Sequence, residues 1–183
     1  MFDRQYRFKG SHALRVDQLT STFDEESKAK LFERNVDVYV NAPIIGFLYG
    51  RMSDADNTKN PETNEVYNQN VMGDRVIYSQ EDLLFNFRMI MLLDKDYEPD
   101  ENKRIDKAFR HVGEDPKDEE RFNAYVRGGV DVLYEKLIEG ATETEEYVNK
   151  LYDFVEEFQD RFNSEISNDD ILQLCVKNTK LGN

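Results

Sequence analysis

The sequence predicts an all-α fold: a compact multi-helix bundle with a polar loop and a possible small β-hairpin inserted around residues 53–78. Three observations carry that expectation. Apolar residues recur at helical spacing in successive stretches, capping and stop signals separate the stretches, and large rings supply core volume. The 183 residues include 12 Phe and 10 Tyr but no Trp, and each buried ring removes about 150–250 Å² from water. A chain of this length buries about 70% of its unfolded surface and needs no disulfide or metal to fold. One domain over residues 1–183 is expected, with 1–10 as an N-terminal arm and 179–183 as a frayed tail.

The elements follow in chain order. Ser11 is placed to cap a short helix through Leu19 with Ala13, Val16 and Leu19 on one face. Thr22-Phe-Asp-Glu25 has capping-box spacing and precedes the helix formers Glu25–Arg34, so a helix is expected to run to about Asn41, where Pro43 ends it. The alternation of Val36, Val38 and Val40 leaves a short strand as the alternative. In Val71–Tyr78, Gly73-Asp74 suggests a hairpin turn. Five helices complete the reading. The first, after Ser79, is apolar nearly all round and belongs at a bundle centre. Asp100–Val112 stops at Gly113, and Asp115-Pro116 opens a helix to Ile138. A capping box at Thr142–Glu145 precedes a helix whose seam is Val148, Leu151, Val155, Phe158 and Phe162. Ser167–Asp170 opens a last short helix holding Ile171, Leu174 and Cys175.

Charge and cysteine usage bound the function. The net charge of −14 is graded along the chain: residues 1–50 are neutral, 51–112 carry −4 and 113–183 carry −10. An acidic surface repels phosphate backbones and anionic membranes and favours solubility or a basic partner. Direct nucleic-acid binding by the chain alone and membrane binding are therefore not expected. The single cysteine, Cys175, and the lack of an apolar leader point to a cytoplasmic setting.

No reactive constellation is evident. Gly-x-x-x-x-Gly-Lys-[Ser/Thr], Gly-x-Gly-x-x-Gly and Gly-x-Ser-x-Gly are all absent. One cysteine and two histidines, His12 and His111, cannot build a Cys/His zinc cage. His111 is expected to serve its helix C-terminus, and Cys175 to pack. Asp54, Asp56, Thr58, Asn60, Glu62 and Glu65 imitate calcium-loop spacing, but Lys59 stands where a glycine is needed for the sharp turn. Neither histidine follows a glutamate by three residues, as a di-metal bundle requires. No catalytic residue, metal or cofactor is expected.

Three surfaces remain as candidate partner-binding sites. The basic-aromatic arm offers Arg4, Tyr6, Arg7 and Lys9 as a docking segment. The apolar stretch Ala42–Arg51 offers Phe47 and Tyr49 with Arg51 at the rim. The late acidic helix offers Glu146, Asp153, Glu157 and Asp160 along one side. The leading expectation is a non-catalytic adaptor or accessory subunit that binds a larger protein partner, with a homo-oligomer left open. The alternatives are an acidic inhibitor that mimics nucleic acid in a basic groove, and an enzyme with an unfamiliar carboxylate site. The Ala42–Arg51 stretch resembles uncharacterised bacterial proteins encoded near phage-defence genes; the resemblance implies a setting in a DNA-targeting or defence system and transfers no residue role.

Overall fold

The computed structural model describes residues 1–162. The last predicted helix, with Cys175, and the predicted tail lie outside the described residues. The described chain is predominantly helical with small antiparallel strand pairs. In order, the elements are β1 (Tyr6–Lys9), α1 (Gly10–Thr20), β2 (Thr22–Asp24), β3 (Ala29–Lys30), α2 (Asn35–Leu48), β4 (Asn68–Val71), α3 (Gly73–Tyr78) and α4 (Gln80–Leu93). They continue with α5 (Glu101–Ile105), a π-helical turn (Asp106–Arg110), α6 (Pro116–Leu137) and α7 (Thr144–Phe162). No helix among the described residues is long and apolar enough to cross a membrane.

The predicted arm is a strand. β1 pairs antiparallel with β4, Tyr6 opposite Val71 and Lys9 opposite Asn68. Alternation then does the sorting: Phe8 is buried while Arg7 and Lys9 face outward. The expected 71–78 hairpin is therefore replaced. Its first residue ends β4, and Gly73-Asp74 starts α3 instead of turning a ribbon.

The helix expected from Glu25 is also corrected. The Asp24 carboxylate accepts from the Glu26 and Ser27 amides and the Ser27 hydroxyl, Lys28 adopts φ +59°, and β2 turns back onto β3. This side-chain-to-backbone bonding outcompetes the helix formers of the segment. The helix begins at Asn35, where Asp37 reaches back to the Arg34 amide at 2.9 Å. Pro43 does not end it: α2 runs on to Leu48. A proline removes one helical donor. Close by, the buried Asn86 of α4 donates to the Val40 carbonyl at 2.7 Å.

The reason α2 tolerates a proline lies in its partner. Cβ atoms built on Gly46 and Gly129 would sit 2.2 Å from the Tyr125 carbonyl oxygen and 1.8 Å from the Ala42 carbonyl oxygen. The backbones of α2 and α6 thus touch, and packing decides the helix against local propensity. Phe122, Val126, Val130 and Leu133 of α6 meet Val38 and Ala42 of α2, Val16 and Leu19 of α1, and Leu83, Phe87 and Ile90 of α4 in the core. At the start of α6, Asp115 accepts from the Lys117 amide and Pro116 takes the first turn, as the sequence indicates.

Candidate functional site

The arm and the apolar stretch are used to build the fold. The Tyr6 ring stacks on Tyr39 with centroids 4.0 Å apart and meets Phe8 edge-on at 5.0 Å. Burial pushes both the Tyr6 and Tyr39 phenols well above their ordinary value. Arg4 reaches Glu119 at 3.4 Å in an exposed pair, and Arg7 donates to the Asn70 side chain at 3.0 Å. Phe47 packs edge-on against Tyr125, and Tyr49 anchors α7 through Phe154, Phe162 and a hydrogen bond to Glu157. Arg51 pairs with Glu135 at 3.1 Å. The Phe47–Tyr49 pocket foreseen in the sequence is therefore occupied by the chain's own α6 and α7.

The acidic row divides in two. Glu146 accepts from the Thr142 and Glu143 amides and the Thr142 hydroxyl, so the capping partner is Glu146 and not Glu145. Those bonds hold its carboxyl below the usual range. Glu157 accepts from Lys136 at 2.6 Å and from Tyr49 at 3.2 Å. Asp153 and Asp160 are exposed. The helix is also turned relative to the predicted seam. Tyr147, Phe154 and Phe158 pack toward the core, whereas Val148, Leu151 and Val155 are exposed.

Sequence reasoning missed two buried ionic networks on α6. In the first, Asp94, just past α4, accepts from Arg121 Nε at 2.8 Å, Arg121 Nη2 at 3.1 Å, the Tyr125 hydroxyl at 2.8 Å and the Tyr97 amide at 3.1 Å. Burial alone would raise the Asp94 carboxyl, but these donors outweigh it and hold it below the ordinary value. The guanidinium of Arg121 lies 5.2 Å from both the Tyr97 and Tyr125 ring centres. Next to it, Asp118 accepts from the Tyr97 hydroxyl at 2.7 Å and from Lys107 at 2.6 Å. A cleft of about 610 Å³ opens over this network, lined by Glu98, Lys103, Asp106, Lys107 and His111 among others. Its most buried members, Asp118 and Lys107, bond each other. His111 caps the π-helical turn, its Nδ1 3.0 Å from Glu114.

The second network centres on Asp131. The Ser53 hydroxyl donates to it at 2.5 Å, Arg15 bonds it, and His12 Nε2 lies 3.3 Å away. Burial pulls the Asp131 carboxyl up, yet His12, Ser53 and Arg15 together leave it below the usual value. The calcium-like loop is spent on local structure. Asp56 bonds the Ser11 amide and Thr58, and Asn60 accepts from the Glu62 and Thr63 amides. No three His, Cys, Asp or Glu side chains converge as a metal cage among the described residues.

Several large apolar side chains also stay uncovered among the described residues. Tyr78 is 82% exposed, Phe85 60%, Phe109 55%, Ile77 54% and Leu93 51%. Phe85 and Leu93 stand eight apart on one side of α4, and Arg88, three after Phe85, lies over the Phe109 ring at 5.6 Å. The sequence did carry the signal. A helix apolar on every side was expected at the centre of the fold; α4 buries Leu83, Phe87, Ile90 and Met91, packs Leu84 and Leu92 at the core's edge, and leaves Phe85 and Leu93 exposed. No protein-family model, curated protein or solved structure matches the chain.

Proposed function

We propose that this chain is a non-catalytic adaptor or accessory subunit whose partner docks on the outer side of α4. The observation that supports this reading is the group of exposed large apolar side chains at Ile77, Tyr78, Phe85, Leu93 and Phe109. Exposed apolar patches mark protein interaction sites in soluble proteins. Aromatic anchors carry most of the energy in such interfaces. Asp74, Glu81 and Asp82 of α3–α4 and Asp96 just beyond are exposed, as are Arg75 and Lys95; the acidic excess favours a partner whose apolar patch is rimmed by Lys and Arg.

The nucleic-acid mimic is the weaker reading. It needs four free carboxylates in a row, and Glu146 and Glu157 are engaged within the fold.

The test is affinity capture from host extract with the wild-type chain and a Tyr78→Ser/Phe85→Ser variant, each followed by size-exclusion chromatography of the purified complex. The proposal expects one stoichiometric basic protein with the wild type and its loss with the variant. Identical capture by both chains, or recovery only of further copies of the chain, would overturn it.

A further inference from the structure

Behind β1 lies a second feature that the docking surface does not use. A cavity of about 80 Å³ is lined by Tyr6, Arg7, Lys9, His12, Asp56 and Arg127. That is several times the roughly 15 Å³ that admits one water. His12 is 4% exposed; its Nε2 pairs with Asp131 at 3.3 Å, and its Nδ1 has no hydrogen-bond partner among the described residues. A buried imidazole left so is costly, because buried polar groups are almost always satisfied. One side of the ring faces Asp131 at 3.3 Å, which orients it, and the ring also borders the cavity.

The charges around the cavity select the occupant. Arg7, Lys9 and Arg127 bring three cations. Arg127 is held in place by its Nε bond to the Ser53 carbonyl at 2.7 Å and an Nη2 bond to Glu120 at 2.5 Å. The one carboxylate of the lining, Asp56, is already saturated by the Ser11 amide at 2.5 Å and by the Thr58 amide and hydroxyl at 3.0 and 2.9 Å. The carboxylate behind His12, Asp131, is neutralised by Arg15 and Ser53. In a chain of net charge −14, the three cations outnumber Asp56 of the lining and Glu120, which pairs with Arg127, beside an imidazole nitrogen that needs a partner.

We propose that the cavity is a binding site for a small tetrahedral oxyanion of the phosphate type, either free or as the end group of a small monoester. His12 lines the inside through its Nδ1 edge, Arg127 forms the wall, and the outward-facing Arg7 and Lys9 stand at the mouth. Guanidinium groups suit such an anion because their N–H fork matches two of its oxygens. An ester's remainder would extend past the exposed β1 side chains, which sets no limit on its size.

The two histidines make the test direct. His12 and the exposed His111 give two sets of imidazole resonances, assigned with His12→Gln. The full chain is titrated with inorganic phosphate, with glycerol 3-phosphate, and with acetate at matched ionic strength. The proposal expects saturable shifts of the His12 resonances with phosphate at millimolar or lower concentration, while His111 follows the ionic-strength control. Arg7→Leu/Lys9→Leu, which changes only outward-facing side chains, should weaken half-saturation at least tenfold. Saturation by inorganic phosphate alone assigns a free anion, and saturation by both phosphates assigns a monoester group. Equal movement of both histidines, equal binding of acetate, or an unchanged titration in the double variant would overturn the assignment.

Discussion

Gly129 of α6 and Ala42 of α2 stand backbone to backbone: a Cβ on Gly129 would lie 1.8 Å from the Ala42 carbonyl oxygen and 2.5 Å from its carbon. Neither neighbour is a side-chain end that can swing away. Gly129→Ala must therefore push α2 off α6, and Gly46→Ala must do so one turn along, against the Tyr125 carbonyl. Each is expected to cost about 3 kcal/mol. Gly50→Ala supplies the comparison. Nothing lies within 4 Å of its Cβ, but its φ is +63°, so strain alone should cost about 1 kcal/mol. Urea denaturation followed by circular dichroism reads all three. A Gly129→Ala loss no larger than that of Gly50→Ala would show that the helices do not meet as described.

The α2–α6 contact also explains what the sequence could and could not disclose. Local signals were readable in part: Asp115-Pro116, Gly113 and the buried Ala13, Val16 and Leu19 face stand where expected, but Ser11 lies inside α1, whose N-cap is Lys9 with no side-chain cap bond. Elements set by distant neighbours were not. The helix expected through Val36–Asn41 is present, but its continuation past Pro43 to Leu48 has no local signal and follows the close approach to α6. Residues 68–71 form a strand because Tyr6–Lys9, about sixty positions away, supply the partner. The same holds for the site residues. Arg7 and Lys9 were noticed for their charge, but His12, Asp56 and Arg127 come from three other places in the chain, and no local spacing links them.

Asp94 gives the acid limit of the fold. Its carboxyl is held below the ordinary value of 3.8 by Arg121, Tyr125 and the Tyr97 amide against the opposing effect of burial. A carboxylate depressed in the folded state stabilises above its unfolded value, and that stability is lost as pH falls through the folded one. The contribution is thus complete at neutral pH and fades below about pH 4. Asp94→Asn leaves Arg121 without its carboxylate and is expected to cost about 3 kcal/mol at pH 7. The loss relative to wild type should shrink below pH 4. A penalty independent of pH would mean that charge is not what Asp94 contributes.

The tyrosines give the alkaline limit. Burial, with the Asp94 hydrogen bond and charge adding to it, raises the Tyr125 phenol from 10.0 to about 12. A group whose folded value is raised keeps its stabilising effect below the unfolded value, and loses it as pH climbs through the folded one. Between about pH 10 and pH 12 the unfolded chain releases protons that the folded chain retains, so stability falls. Ultraviolet titration reads the phenols as they ionise. A group including Tyr125 should ionise only with loss of helical signal. Asp94→Asn should move the Tyr125 step down. A single step near pH 10 for every tyrosine would contradict the burial described.

The carboxylates of α7 separate structural from free charge. Glu157 joins α7 to the body through Lys136 and Tyr49, and Lys136 holds its carboxyl below the ordinary range. Glu157→Lys places a cation between Lys136 and Arg161, which lies over the Tyr49 ring at 4.5 Å. It is expected to loosen α7, so limited proteolysis should cut near Thr144 faster than in wild type. Glu146→Ala removes the acceptor for the Thr142 and Glu143 amides and should lower the melting temperature. Asp153→Lys touches an exposed position and should change neither readout. If Asp153→Lys loosened the helix as much as Glu157→Lys, the acidic side would act as one field of charge and not through individual contacts. The case for α7 as a helix held by Tyr49 and Lys136 would then fail.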